Sequence, residues 1–244
     1  MRYAILGDIH ANLAALEAVL ADLADRSIDT MLQVGDVVGY GAAPRECVAL
    51  VRQHCALVVK GNHDAACTEE LDTRLFNPNA RAAVDYTKTI LTPVELDWLR
   101  ALPYVAQAEH CTLAHGTLAK PERFDYIQST EDADPSLDEL EQGVCFLGHT
   151  HVPVSIMRLA DAPHETCYSI DREVNLTLAH RALVNVGSVG QPRDEDPRAC
   201  YAVWDTETGR MGLHRVEYDI EREADRIRRA GLPAILADRL FLGI

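Results

Sequence analysis

The chain is predicted to be an α/β protein, on three observations. Its N-terminal half alternates short apolar runs with segments of helical periodicity. Its C-terminal half is a succession of strand-like runs parted by turn signals. Polar residues collect where those runs end. Strand–helix–strand units with short links imply parallel pairing and right-handed crossovers.

Taken in order, "RYAILGD" reads as a buried strand. "NLAALEAVLADLADR" then places Leu13, Leu16, Val19, Leu20 and Leu23 at helical spacing, with Asn12 as N-cap. "TMLQVGD" is a second strand. "PRECVALVRQH" is a helix with Pro44 suited to its first turn, and "CALVVKGN" is a third strand. Residues 79–101 are expected to form two helices broken before Pro93. The segment 118–142 is acidic and irregular, with Pro121 and Pro135, and reads as a loop with a short helix, a lid or insert. The strand-like runs are "YVAQAEHCTLAHG", "VCFLGH", "VPVSIMRL", "ETCYSIDREVNLTLA", "ALVNVGS" and "CYAVWDTETGRMGLHRVEY", the last containing a hairpin turn at "DTETG". "DIEREADRIRRAG" closes the series as an amphipathic helix stopped by Gly231 and Pro233.

Bulk properties restrict the function classes. A length of 244 residues suits one domain with a well-buried core, taken as 1–244 with a C-terminal helical extension over about 219–244. No run approaches the roughly 18 apolar residues of a membrane span. Asp8 and His10 interrupt the first apolar run, so the N-terminus does not read as a signal peptide. Seven cysteines, at 47, 55, 67, 111, 145, 167 and 200, form no CxxC; an odd, scattered set implies reduced thiols and a cytoplasmic location. The net charge of −15 opposes attraction to long nucleic acid or an anionic membrane. An anionic substrate stays admissible, because bound cations reverse the local potential.

The chemistry is concentrated at strand ends: "GDIH" (Asp8, His10), "GD" (Asp36), "GNHD" (Asn62, His63, Asp64), "AHG" (His115) and "GHTH" (His149, His151). Each has a plainer reading when taken singly. The D-x-H pair can cap the following helix, "GD" and "GNHD" are turn-compatible, and a lone histidine is more often a satisfied core residue. Jointly they are harder to dismiss, because five of ten histidines fall in these segments; the other five, at 54, 110, 164, 180 and 214, are assigned no role. Mixed oxygen and nitrogen ligands suit Mn, Fe, Zn, Ni or Co. Seven candidate ligands exceed what one ion takes with room for water, so two divalent ions sharing a carboxylate is the economical reading.

In that order, D-x-H, G-D, G-N-H-D, an isolated H and G-H-x-H resemble the calcineurin-like metallophosphoesterase family over residues 2 to about 155, with an extension through "NVGSVGQPRD". "GDVVGYGAAPRECV" is similar to a small bacterial single-domain branch. The resemblance implies a four-layer αββα sandwich of two mixed sheets flanked by helices. It implies that Asp8, His10 and His151 hold one metal, Asn62, His115 and His149 the other, and that Asp36 bridges them. It also implies that His63 faces the phosphate and aids the leaving group while Asp64 orients its imidazole. His149 and His151, two residues apart, are expected on the same side of an extended strand, serving different ions. Ala11 and Ala114 stand where many members have glycine.

The implied reaction is hydrolysis of a phosphomonoester or phosphodiester by a hydroxide bridging two metal ions. Asn185, Ser188, Gln191 and Arg193 are expected to donate hydrogen bonds to the phosphate or leaving group, and a plain structural turn accounts for them equally well. Arg193 is preferred because a guanidinium matches phosphate geometry. Tyr40, Lys120 and Arg123 are weaker candidates for the rim. The expected partner is a small phosphoester, with nucleotides among the candidates. The alternatives are a protein serine/threonine phosphatase, a dinucleoside polyphosphate hydrolase, a non-catalytic binding module on the same fold, or a metal store. Oligomeric state is not legible in the sequence.

Overall fold

Short strands at the start of the chain place three polar loops side by side. The structure, a computed structural model, describes residues 1–141 and 143–244, the side chain of Leu75 excepted. Strand β1 (Arg2–Leu6) leads through helix α1 (Leu13–Ala24) to β2 (Thr30–Gln33), and α2 (Pro44–His54) leads to β3 (Cys55–Val58). The three strands pair in parallel, with Ile5 opposite Leu32 and Leu32 opposite Leu57. Asn12 caps α1 by accepting the Ala15 amide at 3.0 Å, and Pro44 occupies the first turn of α2. "GNHD", which reads locally as a turn, instead opens helix α3 (Asn62–Cys67), because the Asp64 carboxylate accepts the Gly61 amide and closes the first turn. Helices α4 (Pro78–Ile90) and α5 (Pro93–Arg100) follow, broken before Pro93 as the sequence predicts, with Thr92 and Glu95 forming the cap of α5.

The second half contains β4 (Val105–Gln107), β5 (Thr112–Ala114), helix α6 (Thr130–Glu139), β6 (Val144–Leu147), β7 (Val154–Leu159), β8 (Ala162–Ser169), β9 (Glu173–Asn175), β10 (Ala179–Asn185), β11 (Ala199–Asp205) and β12 (Arg210–Val216). Helices α7 (Ile220–Arg229) and α8 (Ala234–Asp238) end the chain. Gln142, the last residue of the expected 118–142 insert, lies outside the described residues. The run "ETCYSIDREVNLTLA" is not one strand: Ser169 Oγ accepts the Asp171 amide in a turn, β8 pairs with β7, and β9 crosses to pair with β12.

Among the described residues the strands form two six-stranded sheets, β3-β2-β1-β11-β12-β9 and β4-β5-β6-β10-β7-β8. Both mix parallel and antiparallel pairs, as β1 shows with β2 on one side and β11 on the other. The two-residue period of a strand builds the layers. Tyr3 and Ile5 face the second sheet, where they meet Leu113, Phe146 and Val184, while Ala4 and Leu6 face α1 and α2. In β6, Val144 and Phe146 fill the space between the sheets, and Cys145 and Leu147 pack under α6 with Leu137 and Ile156. Helix, sheet, sheet and helix therefore stack in four layers, the implied αββα sandwich. The terminal helices pack Ile227, Leu236 and Leu240 against Tyr40 and Ala83, beneath one of the polar loops. No helix among the described residues is long and apolar enough to cross a membrane. All seven cysteines are free, and Cys47, Cys67, Cys111, Cys145 and Cys200 are buried as small apolar groups.

Candidate metal centre

The polar loops converge where β1, β2, β5 and β6 end. The loops after β1 and β2 are laced together, the Asp8 amide donating to Gly35 O at 3.1 Å and the His10 amide to Asp36 O at 3.0 Å. The second sheet is tied in by the Gly190 amide on Asp8 O at 2.9 Å and the Gly148 amide on His115 O at 3.0 Å. Gly148 is required here, because a Cβ at that position would press into Asp8 Oδ2.

Five of the seven expected ligands have left-handed backbone: Asp8 (φ 50°), His10 (φ 50°), Asp36 (φ 57°), His149 (φ 72°) and His151 (φ 62°). Such conformations are disfavoured by about 1–2 kcal/mol each for residues with a Cβ, and they cluster at functional sites. They correct the expectation that His149 and His151 share one side of an extended strand. Strand β6 ends at Leu147, and Gly148–His151 is a tight turn in which the Thr150 amide donates back to Gly148 O at 2.9 Å. The two imidazoles diverge because the backbone reverses, not because a strand alternates. Ala11, where the family often has glycine, is itself left-handed at φ 51°.

The hydrogen bonds decide which ring nitrogens are free. A carbonyl can only accept, so Nδ1 carries the proton in His10 (to Val38 O, 3.0 Å), His115 (to Val34 O, 2.8 Å) and His151 (to Gln191 O, 2.6 Å). In His149 it is Nε2 that donates, to Phe124 O at 2.8 Å. The opposite nitrogens are thereby turned into the centre, the arrangement by which carbonyls orient metal-ligating histidines. His10 Nε2 and His151 Nε2 then face one another at 3.1 Å as two lone pairs, with Asp8 Oδ1 3.2 Å from His151 Nε2. Three acceptors with no proton between them are mutually repulsive, and a divalent cation resolves that repulsion.

A second group lies alongside. His115 Nε2 is 3.1 Å from Asn62 Oδ1 and 3.3 Å from Asp36 Oδ2. Asp36 Oδ2 is also 3.5 Å from His10 Nε2, so this carboxylate borders both groups. The ligand atoms of Asp8, His10 and His151 lie within 4.8 Å of one another, as do those of Asp36, His115 and His149 and those of His10, Asp36 and His63. The structure thus brings all seven expected ligands together, and the donor set fits divalent metal.

Protonation agrees with that fit. Burial lowers His10 and His149 well below the usual imidazole range, and burial followed by the Arg193 charge lowers His151. Asp36 is held well below the carboxylate range by His115 and His63, against its burial. Neutral imidazoles and an ionised carboxylate are the forms a cation needs. His115 differs: burial opposes its charge, but Asp36 raises it to about 9. A raised histidine pKa stabilises the metal-free protein below the unfolded value near 6.5, and that contribution fades as pH rises through about 9. A metal must displace this proton, so its affinity is expected to climb by up to about tenfold per pH unit between 6.5 and 9. Calorimetry in buffers of different ionisation enthalpy should show about one proton released at pH 7.5; pH-independent affinity over that window would refute the assignment.

Asp64 corrects a second expectation. Its carboxylate does not reach the His63 imidazole; it accepts the amides of Asp36 (2.9 Å), Val37 (3.1 Å), Val38 (3.3 Å) and Gly61 (3.0 Å). Short side chain and helix start together turn it towards the second loop, which it staples in place. His63 Nδ1 is instead buried without a partner, and the ring packs against Tyr40 at 4.4 Å and His10 at 4.9 Å. The absence of a Cβ at Gly39 (φ 90°) makes room for that ring. Burial lowers His63 to about 4, so the resting imidazole is neutral.

The loop after β10 is corrected in part. Asn185 Nδ2 donates to Gly148 O and Thr150 Oγ1, and Ser188 Oγ donates to Asp8 O. Both have their donors committed within the protein and brace the turns that carry Asp8, His149 and His151. Gln191 acts through its oxygens, the backbone carbonyl on His151 and Oε1 accepting from Arg193 at 3.0 Å. Arg193 stays available: its Nε is buried without a partner, its guanidinium lies 5.5 Å from the Tyr40 ring, and no carboxylate among the described residues pairs with it. Tyr40 and Arg123 line a cavity of about 390 Å³ with Asn62, His63 and His149, although Arg123 is paired with Asp125 at 3.1 Å. Lys120 is exposed and borders neither this cavity nor the larger one beside it. Phe124 and Tyr126 were not foreseen. Tyr126 stacks on His149 with centroids 3.9 Å apart, and only the aromatic pair in "FDY" inside an acidic insert hints at it in sequence.

Residues 1–209 match the calcineurin-like phosphoesterase superfamily domain. A metallophosphoesterase of Sphaerobacter thermophilus is 40% identical, with a TM-score of 0.88 over 100% of this chain and 99% of that one. A Methanocaldococcus jannaschii protein described as uncharacterized is 34% identical over 98% of this chain and 97% of its own. A hypothetical protein of Pyrococcus horikoshii, 21% identical, shares the fold with a TM-score of 0.80 over 100% and 98% of the two chains. With the αββα frame, the convergent acceptors and these relatives in agreement, the chain belongs to the calcineurin-like phosphoesterase superfamily.

Proposed function

We propose that this chain hydrolyses small phosphoesters with two divalent ions, one held by Asp8, His10 and His151 and the other by Asn62, His115 and His149. The observation that carries the reading is the position of Asp36, whose Oδ2 stands 3.5 Å from His10 Nε2 and 3.3 Å from His115 Nε2, between two acceptor groups. The chemistry supplied by such ions is activation of a water molecule and neutralisation of phosphate charge. The chain's own groups do the rest. Arg193, with an unpartnered Nε, offers a planar fork to the phosphate oxygens. His63, neutral at rest, is drawn towards its imidazolium form by the negative charge of a bound phosphate, and that form gives its proton to the leaving oxygen and returns to the neutral ring. Asp64 acts through position, keeping the Asp36 loop in register.

The test is a panel of phosphomonoesters, phosphodiesters, a dinucleoside tetraphosphate and a phosphopeptide, each with Mn, Ni, Zn and Mg in turn. Turnover of a small ester with at least one metal is expected; no turnover of any ester with any metal would overturn the reading. Arg193→Ala should raise KM for the accepted ester about tenfold or more, as loss of a charge-assisted hydrogen bond does, with metal content unchanged. An unaltered KM would remove Arg193 from the site. Reduced thiols and a net charge of −15 support a cytoplasmic, small-molecule role over long nucleic acid.

A further inference from the structure

A groove of about 830 Å³ opens beside the centre. One wall is the stretch from Tyr126 into the start of α6, and the other is formed by the start of β7 and the end of β8. Its volume falls in the range of small-molecule pockets and far exceeds the needs of a phosphate. The walls hold large apolar side chains out in solvent: Tyr168 is 67% exposed, Ile170 75% and Tyr126 49%. Apolar groups left exposed around a concavity mark a binding site.

The groove lining carries charge of both signs. Among the described residues Arg193 is the one cation in its lining, and Glu131 stands in the lining as well. An anionic group is therefore drawn to the Arg193 end and disfavoured elsewhere. That end is continuous with the metal centre, because the Tyr126 ring lines both this groove and the smaller cavity, and stacks on His149. We infer that the groove binds a planar, apolar substituent of the phosphoester, an aryl group or nucleobase, between Tyr126 and the Tyr168–Ile170 edge, with the phosphate at Arg193. Tyrosine faces suit a flat ring, and Gln128, Ser129 and Thr130 on the α6 side offer hydrogen bonds to its edge. The inference rests on the phosphoesterase reading and names the substrate class within it.

The test measures calorimetric binding of 2-naphthylmethylphosphonate and of methylphosphonate, neither hydrolysable, to the manganese-loaded protein. The wild-type protein should bind the naphthyl compound at least about tenfold more tightly. In the double variant Tyr168→Ala, Ile170→Ser that ratio should collapse towards one; both side chains are mostly exposed, so folding is not at stake. Equal Kd values in the wild type, or a ratio that survives the double substitution, would overturn the groove alone. Failure of both phosphonates to bind would overturn the groove together with the phosphoesterase reading. Sedimentation closes the remaining case: a wild-type dimer that the double variant dissociates would mean that a second copy covers this face, and the inference falls.

Discussion

Asp36→Asn is expected to abolish turnover, by at least about 10³-fold in kcat, more than the loss of a single oxyanion donor produces. Metal affinity should fall by more than the roughly 10–100-fold that removal of an outer partner of a metal ligand causes. The reason is geometric: this carboxylate borders both acceptor groups, at 3.5 Å from His10 and 3.3 Å from His115. The substitution is close to isosteric, and asparagine keeps an oxygen for the His63 amide that Asp36 Oδ1 accepts at 2.8 Å. It also removes the negative charge beside buried Asp64, which burial and Asp36 together raise to about 7. Relief of that repulsion and loss of the charge that raises His115 act in opposite directions on the metal-free protein, so metal content and turnover, not melting, are the readouts. Full activity with two ions bound, read by metal analysis and steady-state kinetics, would refute the shared-carboxylate arrangement.

His63→Ala should cost about 10²–10⁴-fold in rate while bound metal is retained, the range for loss of a general acid. The loss should be large for an alkyl ester and small for a 4-nitrophenyl ester, whose leaving oxygen needs little help. That split separates proton donation from simple disturbance of the pocket. The structure supplies the competing assignment, since His63 lies with His10 and Asp36 within 4.8 Å as a third ligand grouping. Loss of metal in the variant would favour that assignment, and equal losses for both esters would exclude the acid role.

Much of the frame was legible because its signals are local. Asn12 caps α1 from three residues away, Pro44 and Pro93 start helices in their own first turns, and the apolar runs of β1, β2 and β3 are bounded by glycine. The ligand set was legible for a different reason. Side chains at the carboxyl ends of neighbouring strands converge, so the placement of Asp8, Asp36, Asn62, His115 and His149 was enough to expect them side by side. Two of the misreadings involve contacts between distant segments. Asp64 was expected to serve its neighbour His63, yet it accepts three amides from residues 36–38. Ser188 was expected at the substrate, yet its hydroxyl is spent on Asp8 O, across 180 residues of chain.

The sequence by itself determined the strand–helix alternation, the identity of the seven acceptor side chains and the acidic, thiol-bearing character of the chain. Only the tertiary structure decided how those acceptors are presented. Val34, Val38, Phe124 and Gln191 carbonyls choose the free nitrogen of each imidazole, and left-handed backbone at five ligands aims them inward. Neither property has a one-residue code. A carbonyl acquires a direction only when its strand is paired, and a strained φ persists only where hydrogen bonds from other loops hold it.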